Sequence, residues 1–143
     1  MWREAFPAGA SNLERYAARF NCAEINSSFY RQHRPATYAR WAASVPPDFR
    51  FAVKVPRAIT HDQRLIATDV LLEVFLDEAR GLGDRLGPVL VQLPPSLTYE
   101  PAIASEFFAT LRTLFAGDVV CEPRHESWFT RAGEALLASW RVS

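Results

Sequence analysis

Lysine is almost missing from this chain: of its 16 basic residues, 15 are Arg and one, Lys54, is Lys. Net charge is missing too, with 16 acidic residues against the 16 basic ones. A neutral chain lacks the electrostatic footprint of a nucleic-acid binder or a polybasic membrane surface, so neither partner is expected. No apolar run approaches the roughly 18 residues that mark a membrane-spanning helix. The opening Met1-Trp2-Arg3-Glu4 has no apolar signal core. Cysteine is scarce: Cys22 and Cys121 stand far apart, and neither belongs to a CxxC pair. That excludes a zinc knuckle or disulfide framework, predicts two free thiols, and points to a reducing, cytoplasmic setting. No GxGxxG or GxxxxGK[ST] segment occurs, so no nucleotide-binding fingerprint is present. What is there is ordinary globular composition, 49% hydrophobic over 143 residues, enough for one domain spanning 1–143 with a real core. The Arg bias, with many Ala residues, fits GC-rich codon usage, and it makes the surviving Lys54 worth attention.

Periodicity divides the chain into alternating strands and helices. Ser11-Asn12-Leu13-Glu14 reads as a capping box opening a helix over Asn12 to Phe20. Cys22 to Asn26 is a strand candidate. A helix starts near Pro35, carries Tyr38, Trp41 and Ala42 on one face, and ends by Pro46-Pro47. Phe49 to Val55 is a strand closed by Pro56. Leu72, Phe75, Leu76 and Ala79 mark a helix from about Asp69 into the 80s, stopped by Gly87-Pro88. Val89 to Leu93 is a nearly all-apolar strand, the pattern of a strand covered on both faces. Ile103, Phe107, Leu111 and Leu114 mark a further helix, Asp118 to Glu122 a fourth strand, and Ala135 to Trp140 a last helix. Strand–helix units of this size predict a parallel α/β sheet, either open and doubly wound or part of a (β/α)8 barrel.

The strand ends favour the barrel. Glu24 and Asn26 end the first strand, Lys54 the second, Gln92 the third, and Glu122 and Arg124 the fourth. Residues i and i+2 of a strand share a face, so Glu24 is expected to point with Asn26, and Glu122 with Arg124. A barrel gathers such ends at one mouth, whereas an open sheet spreads them along a line. The loops that follow add His61 and His125.

Five blocks carry a resemblance. They are Ala23-Glu24-Ile25-Asn26-Ser27-Ser28-Phe29-Tyr30, Phe51-Ala52-Val53-Lys54-Val55-Pro56-Arg57, Ile59-Thr60-His61, Leu86-Gly87-Pro88-Val89-Leu90-Val91-Gln92-Leu93-Pro94-Pro95, and Glu122-Pro123-Arg124-His125-Glu126-Ser127-Trp128-Phe129. In order and spacing the chain resembles the YecE-like family, domain of unknown function 72. The resemblance implies a TIM-barrel fold and names no reaction. Members run well over 200 residues and open with a glycine-rich first strand bearing a GxxGW-like segment. This chain resembles barrel strands two to five with their helices, and Trp140 to Ser143 falls where strand six should begin. A product cut short at both ends is therefore expected, with strands two and five as open edges through which copies could associate.

The function these residues suggest is acid–base chemistry on a small polar or anionic molecule. Lys54 and Arg124 would hold a carboxylate or phosphate. Glu24 and Glu122 would act as general base and acid if burial separates their pKa values. Asn26, Gln92, His61 and His125 would orient the substrate. Lys54 as a Schiff-base nucleophile is a variant, although a lysine on a barrel floor more often pairs with a carboxylate. A metal held by Glu24, His61, Glu122 and His125 is another variant, but no local spacing motif supports it, so neither metal nor cofactor is expected. The competing reading is a non-catalytic domain that binds a small ligand or a second copy. Arg31, Arg34, Arg57 and Arg124 with Tyr30 and Trp128 could serve a nucleic acid, but scattered surface arginines of a neutral, Arg-biased chain explain them better.

Overall fold

A computed structural model of the chain describes Leu13 and residues 20–143. The capping box at Ser11 and most of the helix expected over Asn12–Phe20 lie outside the described residues. The rest alternates as the periodicity predicts: β1 (Cys22–Ile25), α1 (Pro35–Ala43), β2 (Arg50–Lys54), α2 (Asp69–Ala79), β3 (Leu86–Gln92), α3 (Pro101–Leu114), β4 (Val119–Glu122) and α4 (Arg131–Ser139). Proline at the first helical position opens α1 and α3, where its missing N–H costs nothing. Thr130 opens α4, its hydroxyl accepting the Gly133 N–H at 3.2 Å.

All four strands are parallel, in the order β1-β2-β3-β4, so the structure is a partial TIM-type barrel and not a doubly wound sheet. Side-chain alternation sorts the residues by face. Ile25, Phe51, Val53, Val89, Val91, Val119 and Cys121 are buried on the side that packs against the helices. They meet Leu72, Phe75 and Leu76 of α2 and Phe107, Phe108 and Leu111 of α3 in one core. Among the described residues no helix packs on the other face. On it lie Glu24, Ala52 and Lys54, Leu90 and Gln92, and Val120 and Glu122, as the register pairs Glu24–Ala52, Lys54–Leu90, Leu90–Val120 and Gln92–Glu122 require.

Three expectations need correction. Gly87-Pro88 does not stop α2. The helix ends at Ala79 and tightens into 3₁₀ turns over Arg80–Arg85, where Gly83 takes a left-handed φ of 56°. Gly87 and Pro88 belong to β3, which carries one extra residue between its Phe51 and Val53 partners. Pro88, with no N–H to give the ladder, sits in that irregularity. Nor is β3 covered on both faces: Val89, Val91 and Leu93 are fully buried, but Leu90 and Gln92 are only half-buried. Finally, β1 ends at Ile25, and Asn26 is helical at φ −90°, ψ −26°, so strand alternation does not extend from Glu24 to Asn26.

Beyond α4 the chain returns to the sheet. Val142 pairs in parallel with Val119, the Ser143 N–H donates to the Val119 carbonyl at 3.1 Å, and Cys121 N–H donates to the Ser143 carbonyl at 2.8 Å. Arg112 of α3 steadies this return by donating to the carbonyls of Trp140 and Arg141, at 2.7 and 2.6 Å. Two residues thus run beside β4, where the next barrel strand was expected.

Candidate functional site

Lys54 ends β2 on the face turned away from the buried core, and its neighbours are supplied by the strands on either side. Its Nζ donates to Gln92 Oε1 of β3 at 3.1 Å and lies 3.9 Å from Glu24 Oε1 of β1. It also stands 5.4 Å above the Phe29 ring, close enough for a cation–π contribution. The lysine side chain is only 13% exposed, the Glu24 side chain 44%. Glu122 is the cross-strand partner of Gln92, and Arg124 reaches back to it, with Nη2 3.5 Å from Oε1. The four strand-end groups therefore share one face and form a row from Glu24 through Lys54 and Gln92 to Glu122.

His61 joins this row from the β2–α2 connection, in a π-type turn over Ala58–Asp62. Its ring packs edge-on to Phe29 with centroids 4.9 Å apart, and Nδ1 lies 2.8 Å from the buried Thr60 hydroxyl. Burial is the first reason its imidazole titrates below the usual range. The charges of Arg57, Arg124 and Lys54 push the same way, and Asp62 opposes them. Burial and these neighbouring cations thus oppose protonation of His61.

Two candidates stay outside this cluster. His125 caps the short 3₁₀ turn Glu126–Trp128, its Nδ1 accepting the Ser127 N–H at 3.1 Å. Ser127 Oγ, 2.8 Å from the same nitrogen, accepts the Tyr99 N–H. The ring therefore helps lock the β3–α3 and β4–α4 loops together. Asn26 caps the turn Ser27–Phe29 through its backbone alone and has an exposed side chain. Glu122 is also well exposed at 62%, so the described residues do not supply the burial on which separate acid and base roles for two carboxylates would rest. Among the described residues no group of three or more His, Cys, Asp and Glu side chains gathers to hold a metal ion, which leaves the four-residue metal variant without a geometric basis.

Three contributors escaped the sequence reading. Phe29 supplies the ring beneath both Lys54 and His61. Ser28 is buried and donates to the Lys54 carbonyl at 2.6 Å, pinning the end of β2 to the β1 loop. Arg64 takes a left-handed φ of 51° and clamps the Ser96 carbonyl and hydroxyl at 3.0 Å each, tying the β2–α2 loop to the β3–α3 loop. The available signal was position, since each follows a strand end within a dozen residues. Residue type alone does not distinguish them.

Both thiols are free, Cys22 exposed and Cys121 buried. No helix among the described residues is long and apolar enough to cross a membrane.

Similar proteins extend this picture. The UPF0759 protein YecE of Escherichia coli K12 is 34% identical over 127 residues, covering 88% of this chain and 46% of that protein. The UPF0759 protein YunF of Bacillus subtilis 168 is 30% identical over 133 residues, covering 86% of this chain and 46% of that protein. Two solved structures share the fold. A DUF72 family protein from Enterococcus faecalis V583 aligns with TM-score 0.78 at 21% identity, over 93% of this chain and 52% of its own. One from Thermotoga maritima MSB8 aligns with TM-score 0.75 at 25% identity, over 95% and 55%. The chain spans about half the length of the curated relatives it matches. The family described as "Protein of unknown function DUF72" matches residues 1–142, and the chain belongs to it.

Proposed function

We propose that the C-terminal end of the sheet binds a small polar or anionic molecule and moves a proton on it, as the site of a cytoplasmic acid–base enzyme. One observation carries this reading: Lys54, held by Gln92 and Glu24, and His61 meet on the same Phe29 ring at the C-terminal end of a parallel sheet. Barrel chemistry is done at that end. Lys54 and Arg124 hold the anion, Arg124 with its planar fork. The Lys54–Glu24 pair is long, at 3.9 Å, and its carboxylate is half-exposed, so an incoming anion displaces little by competing with it. Gln92 fixes the Lys54 ammonium and orients the substrate. His61, neutral and beside those cations, accepts the proton, and Glu24 and Glu122 balance the cationic charge when the site is empty.

Calorimetric titration with inorganic phosphate and with malonate at low salt tests the reading. Saturable binding is expected, weakened about tenfold by Lys54→Met and by Arg124→Met, a change of about 1.4 kcal/mol each. Equal binding by wild type and both variants would remove the anion site.

The open sheet supports a second reading, a non-catalytic domain that binds a second copy. Among the described residues β1 has a strand partner on one side only, and the face bearing Leu90 and Val120 has no covering layer. Unpaired edges and half-exposed apolar faces invite association. In this reading phosphate leaves the protein unchanged, and assembly follows protein concentration.

A further inference from the structure

A cleft of about 300 Å³ opens between α2, the β2–α2 connection and the β1–α1 loop. Three separate pieces of chain line it: Pro56, Ala58 and Ile59 from the β2–α2 connection, Leu71, Val74 and Phe75 from α2, and Gln32 from the β1–α1 loop. One ionisable group enters this apolar wall, the half-buried Glu78 of α2. We propose that this cleft binds a small apolar molecule carrying an amine, with its hydrocarbon body against Ile59, Leu71 and Val74 and its ammonium on the Glu78 carboxylate.

Size, lining and charge support this. The volume lies at the lower end of the range for small-molecule sites, about 300–1,000 Å³, which are mostly apolar with a few placed polar groups. Glu78 has a hydrogen bond from Gln32 and the charge-neutral Tyr38 phenol nearby, but no Lys, Arg or His within ion-pair distance among the described residues. A carboxylate taken out of water without a counter-charge is costly, and a ligand ammonium supplies the missing complement. Burial already raises the Glu78 carboxyl above its ordinary range, against the pull of the Gln32 hydrogen bond. Of the lining residues, Leu71 and Val74 are each 39% exposed, and the adjoining Val70 of α2 is 71% exposed. These are apolar residues on a helix face that water would otherwise favour as polar. An amine fits better than an acid because, among the described residues, the one charged side chain lining the cleft is Glu78.

Three probes of one shape test the proposal on the intact chain: 2-phenylethylamine, 2-phenylethanol and phenylacetate, followed by methyl NMR of Ile59, Leu71 and Val74. Saturable shifts are expected with the amine, weaker ones with the alcohol and none with the acid. Glu78→Gln should weaken the amine about tenfold and leave the alcohol unchanged, while Lys54→Met should alter neither. Equal binding of amine and acid overturns the proposal, as does amine affinity that ignores Glu78→Gln. Methyl shifts that follow protein concentration instead of ligand overturn it too, since a second copy then fills the cleft. The comparison of probes on the wild-type chain stands even if the variant fails to fold.

Discussion

Raising the pH should destabilise this protein through one thiol. Cys121 lies on the helix-facing side of β4, 8% exposed, and burial with the Glu122 charge pushes its thiol from 9.0 to about 12. In the unfolded chain the thiol ionises near its ordinary value, while in the folded chain it stays protonated. The unfolded state therefore binds fewer protons across that window, and stability falls as pH rises through it. Near pH 11 the loss from this group alone is about 3 kcal/mol, against a typical total of about 5–15 kcal/mol. The assay is urea unfolding at about pH 8 and about pH 11, for wild type and Cys121→Ala. Alanine costs something at both pH values by emptying space, but it cannot ionise. Tyr38, raised from 10.0 to about 12 chiefly by burial, is present in both chains and cancels. Wild type should lose about 3 kcal/mol more than the variant between the two conditions. Equal losses would refute the placement of Cys121 in the core. Exposed Cys22 serves as the control: it should react at once with a thiol reagent, with the second thiol appearing only on unfolding.

Acid should destabilise the fold by the opposite route. Burial is the leading cause that lowers both His33 and His61 below 6.5, so the unfolded chain takes up protons first and stability falls as pH drops below about 6.5. His33→Asn and His61→Asn should each flatten that fall in thermal melts taken between about pH 7 and pH 5. Leu111→Ala, at a site with 0% exposure between α3 and the sheet, should cost about 2–5 kcal/mol in urea unfolding; under about 1 kcal/mol would mean that α3 does not pack as described. Under the second reading the 143-residue chain should self-associate through the sheet face and β1 edge left open among the described residues, seen as a mass above the monomer in light scattering; a monodisperse monomer with a cooperative melt would contradict that reading.

The fold was legible because its signals are redundant. Proline marks the starts of α1 and α3, and the alternation in Phe51-Ala52-Val53-Lys54 marks β2 and its buried face. Periodicity leaves two parallel-sheet architectures equal; the strand-end residues favoured the barrel, and the resemblance over five blocks implied the same. Local grammar failed at Gly87-Pro88. That pair reads as a helix stop, but a strand that tolerates a bulge absorbs it. The Glu24, Lys54, Gln92 and Glu122 row was legible from strand-end position, because register makes one face of neighbouring strands common. Asn26 and His125 were not, because both lie past a strand end, where backbone turns and not alternation set direction. The cation field at His61 could not be read in one dimension at all: Lys54, Arg57 and Arg124 come from two βα junctions that only folding brings together.

The central claim, that a neutral His61 and its surrounding cations form an anion-binding proton-transfer site, meets its most direct test in the imidazole itself. Its titration is followed by NMR of the ring protons, first in buffer and then with inorganic phosphate at saturation. The account predicts a midpoint below the ordinary histidine value without phosphate, for the burial and the Arg57, Arg124 and Lys54 charges that hold it there. It predicts an upward shift with phosphate, because a bound anion screens those charges and favours the imidazolium. A midpoint at or above the ordinary value in buffer, or one that phosphate leaves in place, would contradict it.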